Sequence, residues 1–144
     1  MNNIGLGLLG PTPEQSQKAR SVSKLMEAEQ LYEECLILCR QQGNHYNTAA
    51  VSYQMGLLKL LWGKPEQAIP LFEESLVMFE GIIREYPNAR SNISMCHFYL
   101  GQALLKTGRV NDARKNLESA ITLDEIMDDF RRVRAAQEML QKCY

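Results

Sequence analysis

Two cysteines one helical turn apart are the first residues in this chain whose types and spacing could do chemistry. Cys35 and Cys39 lie four residues apart, and Cys96 directly precedes His97. Thiolates and imidazoles at such spacing can bind zinc, but the chain has no C-x-x-C motif, and four cysteines are too few for a disulfide scaffold. Because the pair lies on an apolar helical stripe, we expect buried thiols, no metal site and a reducing, cytoplasmic setting.

Charged residues cluster at several places without forming a catalytic arrangement. Glu73-Glu74 and Asp128-Asp129 are neighbours on predicted helices, so each pair diverges around its helix and is solvated. Arg132 follows Asp128 by four residues, which predicts a modest surface ion pair; a phosphate-binding patch is the alternative. The chain has no nucleophile elbow and no phosphate-binding loop. We therefore predict no catalytic residue, no cofactor and no enzymatic activity.

The length and net charge of the chain limit the classes of protein to which it can belong. The chain has 144 residues, enough for one domain with a sizeable core, and 45% of them are hydrophobic. A formal net charge of -1 does not favour a nucleic-acid partner. No apolar run is long enough for a membrane span, and the first residues, MNNIGLGLLGP, lack the positive charge of a secretory signal. We predict an apolar tail over residues 1–11 and a single domain over residues 12–144.

Helix signals follow one another from Thr12 onward. Thr12-Pro13-Glu14-Gln15 is a helix start, in which Thr12 is the N-cap and Gln15 closes a capping box. Apolar residues then recur at helical spacing. The pattern is interrupted at Gly43, Gly63-Lys64-Pro65, Tyr86-Pro87-Asn88 and Thr107-Gly108-Arg109. These breaks predict an all-α chain with helices over residues 12–42, 46–62, 65–85, 89–107, 110–123 and 125–142.

Two segments of the chain repeat each other at an offset of 45 residues. MGLLKLLWGKPEQAIPLFEESL aligns with LGQALLKTGRVNDARKNLESAI, which pairs Gly56 with Gly101, Gly63 with Gly108, and Ala68 with Ala113. A partial third copy lies upstream at an offset of 40, where Ala28, Tyr32 and Cys35 match Ala68, Phe72 and Ser75. Helical repeats bury their apolar faces by stacking on their neighbours, so this periodicity predicts a solenoid.

The repeats resemble the tetratricopeptide repeat family over about residues 20–142. The family motif is matched by Gly56 on a first helix, Gly63 at the turn, and Ala68, Phe72 and Ser75 on a second helix. The chain departs from it in its longer period, against about 34 residues in the family, and in Ser52 and His97 at the family's tryptophan position. The resemblance implies an α-α superhelix with a long N-terminal helix, complete hairpins near residues 46–85 and 89–123, and a C-terminal capping helix over residues 125–142. It also implies that Gly56 faces Ala68 and that Gly101 faces Ala113.

In this family the first helices line a concave groove that binds protein or peptide segments. The resemblance places eight residues on the groove: Tyr53, Leu57, Leu60, Leu61, Phe98, Gln102, Leu105 and Lys106. Since most are apolar, we expect a non-catalytic adaptor or sensor module with a protein or peptide partner. The Lys-Asn pair that clamps C-terminal carboxylates in one subclass is missing from these positions. Two alternatives stay open: the long first helix or the solenoid's curvature covers these residues, or the apolar surface makes a homodimer of a self-associating structural protein.

The first ten residues form an apolar tail. Residues 1–10 include Ile4, Leu6, Leu8 and Leu9 and no charged residue. We expect it either to lie on the groove of its own chain or of a neighbouring copy, or to be disordered, as termini commonly are.

Overall fold

Six helices follow one another in the computed structural model, which describes residue 10 and residues 12–144. They are α1 (Pro13–Gln41), α2 (His45–Leu61), α3 (Pro65–Ile82), α4 (Ala89–Lys106), α5 (Val110–Ile126) and α6 (Phe130–Gln141). No strand occurs in the described residues, so the all-α prediction is confirmed. The tail predicted over residues 1–11 lies almost entirely outside the part that the structure describes.

Each helix packs against the next one in the chain, and the core lies where α2, α3, α4 and α5 meet. The two hairpins α2–α3 and α4–α5 bury small residues on their contact faces. Ala68 and Ala113 are both fully buried, and a Cβ atom on Gly101 would lie 2.8 Å from Cγ of Leu117 and 3.3 Å from the Ala113 carbonyl oxygen. The helices of the second hairpin therefore approach each other closely only because residue 101 has no side chain.

The predicted start of α1 is confirmed in detail. The Gln15 N–H donates to Oγ1 of Thr12 at 3.1 Å, and the Thr12 N–H donates to Oε1 of Gln15 at 2.9 Å. This reciprocal capping box satisfies backbone donors that the first turn of a helix leaves without an intrahelical acceptor.

Four of the turns between helices share one geometry. In each, the residue after the C-cap has a positive φ: Gly43 (67°), Gly63 (76°), Gly108 (82°) and Asp128 (57°). The following residue donates its N–H to a carbonyl five residues back, from Asn44 to Cys39, Lys64 to Lys59, Arg109 to Leu104 and Asp129 to Asp124. This is the Schellman arrangement, and it sets the angle at which each next helix departs.

The turn at Asp128 corrects the predicted ends of the last two helices. α5 continues to Ile126 rather than stopping at residue 123, and α6 begins at Phe130 rather than at residue 125. Asp is among the few non-glycine residues that adopt a positive φ at modest cost, so a turn forms there without a glycine to mark it. Asp129 then caps α6, because its carboxylate accepts from the Arg132 N–H at 3.2 Å.

Candidate partner-binding site

The eight residues predicted for the groove, here called the groove face, lie on α2 and α4. Leu61 is 78% exposed, and Lys106 is exposed as well. Leu57, Leu60 and Leu105 are half-buried and pack against the core on one side, while Phe98 and Gln102 are also half-buried. The groove face therefore offers solvent a discontinuous apolar surface whose most prominent side chain is Leu61.

Tyr53 does not lie on the open part of this face. It is only 8% exposed, and its ring packs against Phe72 at a centroid distance of 5.9 Å and Tyr99 at 6.1 Å. Burial raises the pKa of Tyr53, with the nearby Tyr99 and Cys96 adding to the effect. Little of Tyr53 is open to a partner, because its ring packs against Phe72 and Tyr99, and its contact with a partner stays a prediction.

A cavity of about 220 Å³ lies between α4 and α6, where Phe98 forms part of its wall. The side chains that line it are Ser94, Met95, Phe98, Tyr99, Asp124, Arg132 and Ala135. Phe98 and Tyr99 meet edge to face at 5.0 Å, so the wall is aromatic on one side. Met95 and Tyr99 were missed from the sequence because each matches a polar or small residue, Ala50 and Gln54, in the first repeat.

The polar floor of this cavity is a buried charge pair. Asp124 is 2% exposed, forms an ion pair with Arg132 at 3.2 Å and accepts a hydrogen bond from the Ser94 hydroxyl. Arg132 also donates to Oγ of Ser91 at 2.8 Å and to the Ser91 carbonyl at 3.0 Å. The predicted pairing of Arg132 with Asp128 is replaced by pairing with Asp124 and Asp129, since Asp128 lies in the turn. With its guanidinium engaged in this way, Arg132 ties α6 to α4 and α5.

A second, larger cavity of about 630 Å³ lies on a different side of α4, in contact with α3 and α5. Ile83, Ile93 and Leu123 form its apolar part, and charged residues such as Glu80 and Arg90 lie at its rim. His97 also lines it, and Nδ1 of His97 lies 2.9 Å from Oδ1 of Asn116. None of the predicted groove residues lines this second cavity.

The long helix α1 packs beside α2 and is joined to the first hairpin by polar contacts. Glu29 pairs with Lys59, and Arg40 pairs with Glu74 at 2.6 Å. Glu74 also accepts a hydrogen bond from Ser52, which is fully buried at the family's tryptophan position. In this position α1 leaves Leu61 open to solvent.

The four cysteines divide into two buried and two accessible thiols. Cys39 and Cys96 are buried, whereas Cys143 is half-buried and Cys35 is exposed, which corrects the expectation that Cys35 is a packed small residue. Burial raises the pKa of the Cys96 thiol to about 11, against a smaller opposing effect of the Ser75 hydroxyl at 3.5 Å. Across residue 10 and residues 12–144, no three His, Cys, Asp or Glu side chains come together as a metal site would need.

None of the helices that the structure describes combines the length and apolar character that crossing a membrane requires. Stacked antiparallel hairpins with small residues at their contacts define a helical-repeat protein. Comparison with family models matches residues 19–81 and residues 96–126 to the tetratricopeptide repeat, which together span more than half of the chain. The chain belongs to the tetratricopeptide repeat family, and no curated protein matches it.

Proposed function

We propose that this chain is a non-catalytic module that binds a protein or peptide segment through the groove face. Tetratricopeptide repeats are in general protein-protein interaction modules, which supports the class of function. The observation that carries the particular site is the exposure of Leu61, a large apolar side chain on α2 that is 78% exposed. Half-buried Leu57, Leu60 and Leu105 extend this apolar surface from the core toward solvent.

The cavity beside Phe98 gives the proposed site a place for one partner side chain. Its volume of about 220 Å³ and its aromatic wall suit an apolar side chain, which would displace water from Met95, Phe98 and Tyr99. Burying one large apolar side chain contributes about 1.5–3 kcal/mol, so one anchor in the cavity and one on Leu61 would give the interaction most of its affinity. Lys106 at the end of the groove face favours an acidic residue in the partner segment.

The experiment is selection of binding peptides from a displayed random library, followed by titration of the selected peptides. Leu61→Asp and Phe98→Asp should each weaken binding at least tenfold, whereas Val77→Asp, at an exposed position of α3 outside the groove face, should leave it unchanged. Helical content and melting temperature are recorded for every variant. A variant that is folded and binds as tightly as the wild type shows that the groove face is not the site, and unfolding of Phe98→Asp shows that Phe98 belongs to the core.

The compartment is a further part of the proposal. All four cysteines are free thiols, and the sulfurs of Cys35 and Cys39 lie 4.0 Å apart without a bond. We propose a reducing, cytoplasmic setting, in which such a pair stays unlinked. Mass spectrometry of alkylated protein from its native source would show a disulfide if this is wrong.

A further inference from the structure

One face of α1 is partly exposed to solvent at positions whose counterparts in the other two repeats are buried. Ala28, Tyr32 and Cys35 match Ala68, Phe72 and Ser75 of α3 and Ala113, Leu117 and Ala120 of α5. All six of these counterparts are fully buried, because the preceding helix of each hairpin covers them. On α1, Ala28 and Tyr32 are only half-buried and Cys35 is exposed. By the register of the repeat, this face of α1 therefore corresponds to the faces of α3 and α5 that pack against an antiparallel helix.

A stripe of exposed residues with helix-pairing spacing runs along α1 next to this face, about a quarter turn around the helix from Ala28, Tyr32 and Cys35. Its members follow steps of four, three, four, three and four residues: Arg20, Lys24, Glu27, Leu31, Glu34 and Leu38. Leu31 is 65% and Leu38 56% exposed, and the four charged members are exposed as well. Alternating steps of three and four residues keep side chains on one seam between two helices.

The distribution of charge along α1 indicates which partner packs on this seam. Residues 15–26 contain three basic side chains and no acidic one, whereas residues 27–39 contain four acidic side chains and no basic one. One of these acids, Glu29, pairs with Lys59 of the same chain. A second α1 that runs antiparallel brings the basic half of each helix against the acidic half of the other. The tail over residues 1–11 carries no charged side chain and has no such complement.

We propose that this open seam of α1 binds a second copy of the chain, with the two α1 helices antiparallel about a two-fold axis. In this register Lys24 faces Glu34 of the partner subunit, and Leu38 packs on the aliphatic stem of Arg20 of the partner subunit. Leu31 lies close to the axis, beside Glu27 of the partner subunit. The seam from Arg20 to Leu38 is about 27 Å long.

The test is sedimentation over a concentration series with paired charge reversals. The wild type should form a dimer, and Lys24→Glu or Glu34→Lys alone should raise the dimer dissociation constant about tenfold or more. An equal mixture of the two variants should dimerise like the wild type, because opposite charges then face each other again at both ends of the seam. Leu61→Asp is the matched control and should dimerise normally, which separates this seam from the groove face.

Three results would overturn the proposal. A wild type that stays monomeric throughout the series excludes the dimer. A dimer that persists in both single variants uses another surface. If the wild type is monomeric and deletion of residues 1–11 produces a dimer, then the tail covers the seam in the full chain.

Discussion

The ring of Phe72 occupies the space that a side chain on residue 56 would need. A Cβ atom placed on Gly56 would lie 2.6 Å from Cε1 of Phe72, and the three nearest atoms all belong to this ring. Phe72 lies on α3 and is fully buried against α2 and against Tyr99 of α4, so its ring has little room to move. The sequence pointed to Ala68 as the partner of Gly56, whereas the tightest contact is with the aromatic residue one helical turn later.

This contact predicts that Gly56→Ala destabilises the protein by about 1–3 kcal/mol, as overpacking of a core does. Gly81→Ala is the matched control, because a Cβ atom on Gly81 of α3 meets nothing within 4 Å. Alanine favours helix there, so Gly81→Ala should stabilise by about 0.5 kcal/mol. Chemical denaturation measures both, and equal effects of the two substitutions would exclude the close contact.

The positive φ of Asp128 predicts a stabilising substitution. Glycine adopts the φ of 57° without the cost that any side chain adds, so Asp128→Gly should raise the free energy of unfolding by about 0.5–1 kcal/mol. Asp128→Ala, which has neither glycine's freedom nor a polar side chain, should lower it. Melting temperatures of the wild type and the two variants rank their stabilities. If the alanine and glycine variants are equally stable, residue 128 does not have a positive φ.

The buried carboxylate of Asp124 predicts a large loss of stability on its removal. Asp124→Ala removes the buried partner of Arg132 and one acceptor of the Ser94 hydroxyl and should cost about 2–3 kcal/mol, less than the loss of a fully buried pair because Arg132 is 29% exposed. The exposed pair Arg109–Asp112 supplies the comparison: Asp112→Ala should change stability by about 0.5 kcal/mol or less. Urea titration followed by circular dichroism distinguishes the two values.

Thiol accessibility predicts the order in which the cysteines react. Cys35 is exposed and should be alkylated rapidly in the native protein, whereas Cys96 is fully buried with a pKa of about 11 and should react only when the chain unfolds. Peptide mapping after timed alkylation identifies each site. Fast labelling of Cys96 under native conditions would place it at the surface.

The same thiol predicts a loss of stability at alkaline pH. The folded-state pKa of Cys96, about 11, lies above the ordinary value of 9.0, so the protonated thiol favours the fold below pH 9. This contribution, about 2–3 kcal/mol, disappears as pH rises from 9 to 11. Cys96→Ala removes the thiol, and its unfolding free energy should therefore depend less steeply on pH in this range; parallel pH profiles would contradict the assignment.

Helix starts and turns were predictable where a residue has one dominant conformational role. Thr12 and Gln15 specify a capping box through local hydrogen bonds, and Gly63 and Gly108 mark turns because glycine alone takes a positive φ freely. The turn at Asp128 was missed because aspartate is also tolerated within a helix. A capping box or a glycine turn can therefore be recognised from the local sequence. A turn at a residue that also fits within a helix, such as Asp128, cannot.

Burial was less predictable than the order of helices. The repeat register correctly identified Ala68, Phe72 and Ala113 as core residues, all fully buried. It could not place Tyr53 and Cys35, because their burial depends on what lies opposite them. Tyr99 closes over Tyr53, and the face of α1 that carries Cys35 is open. Neither fact follows from the residue's own position in the repeat.

Both ends of the described helical stack leave large apolar side chains in solvent. At the C-terminal end, α6 buries Val133 and Ala136 and presents Arg131 and Arg134 to solvent, but Phe130 is 67% exposed beside them. At the other end, α1 exposes Leu31 and Leu38 among charged residues. A terminal repeat that closes a solenoid has a polar outer face. Neither end of this stack is uniformly polar, so each keeps apolar side chains onto which another helix can pack.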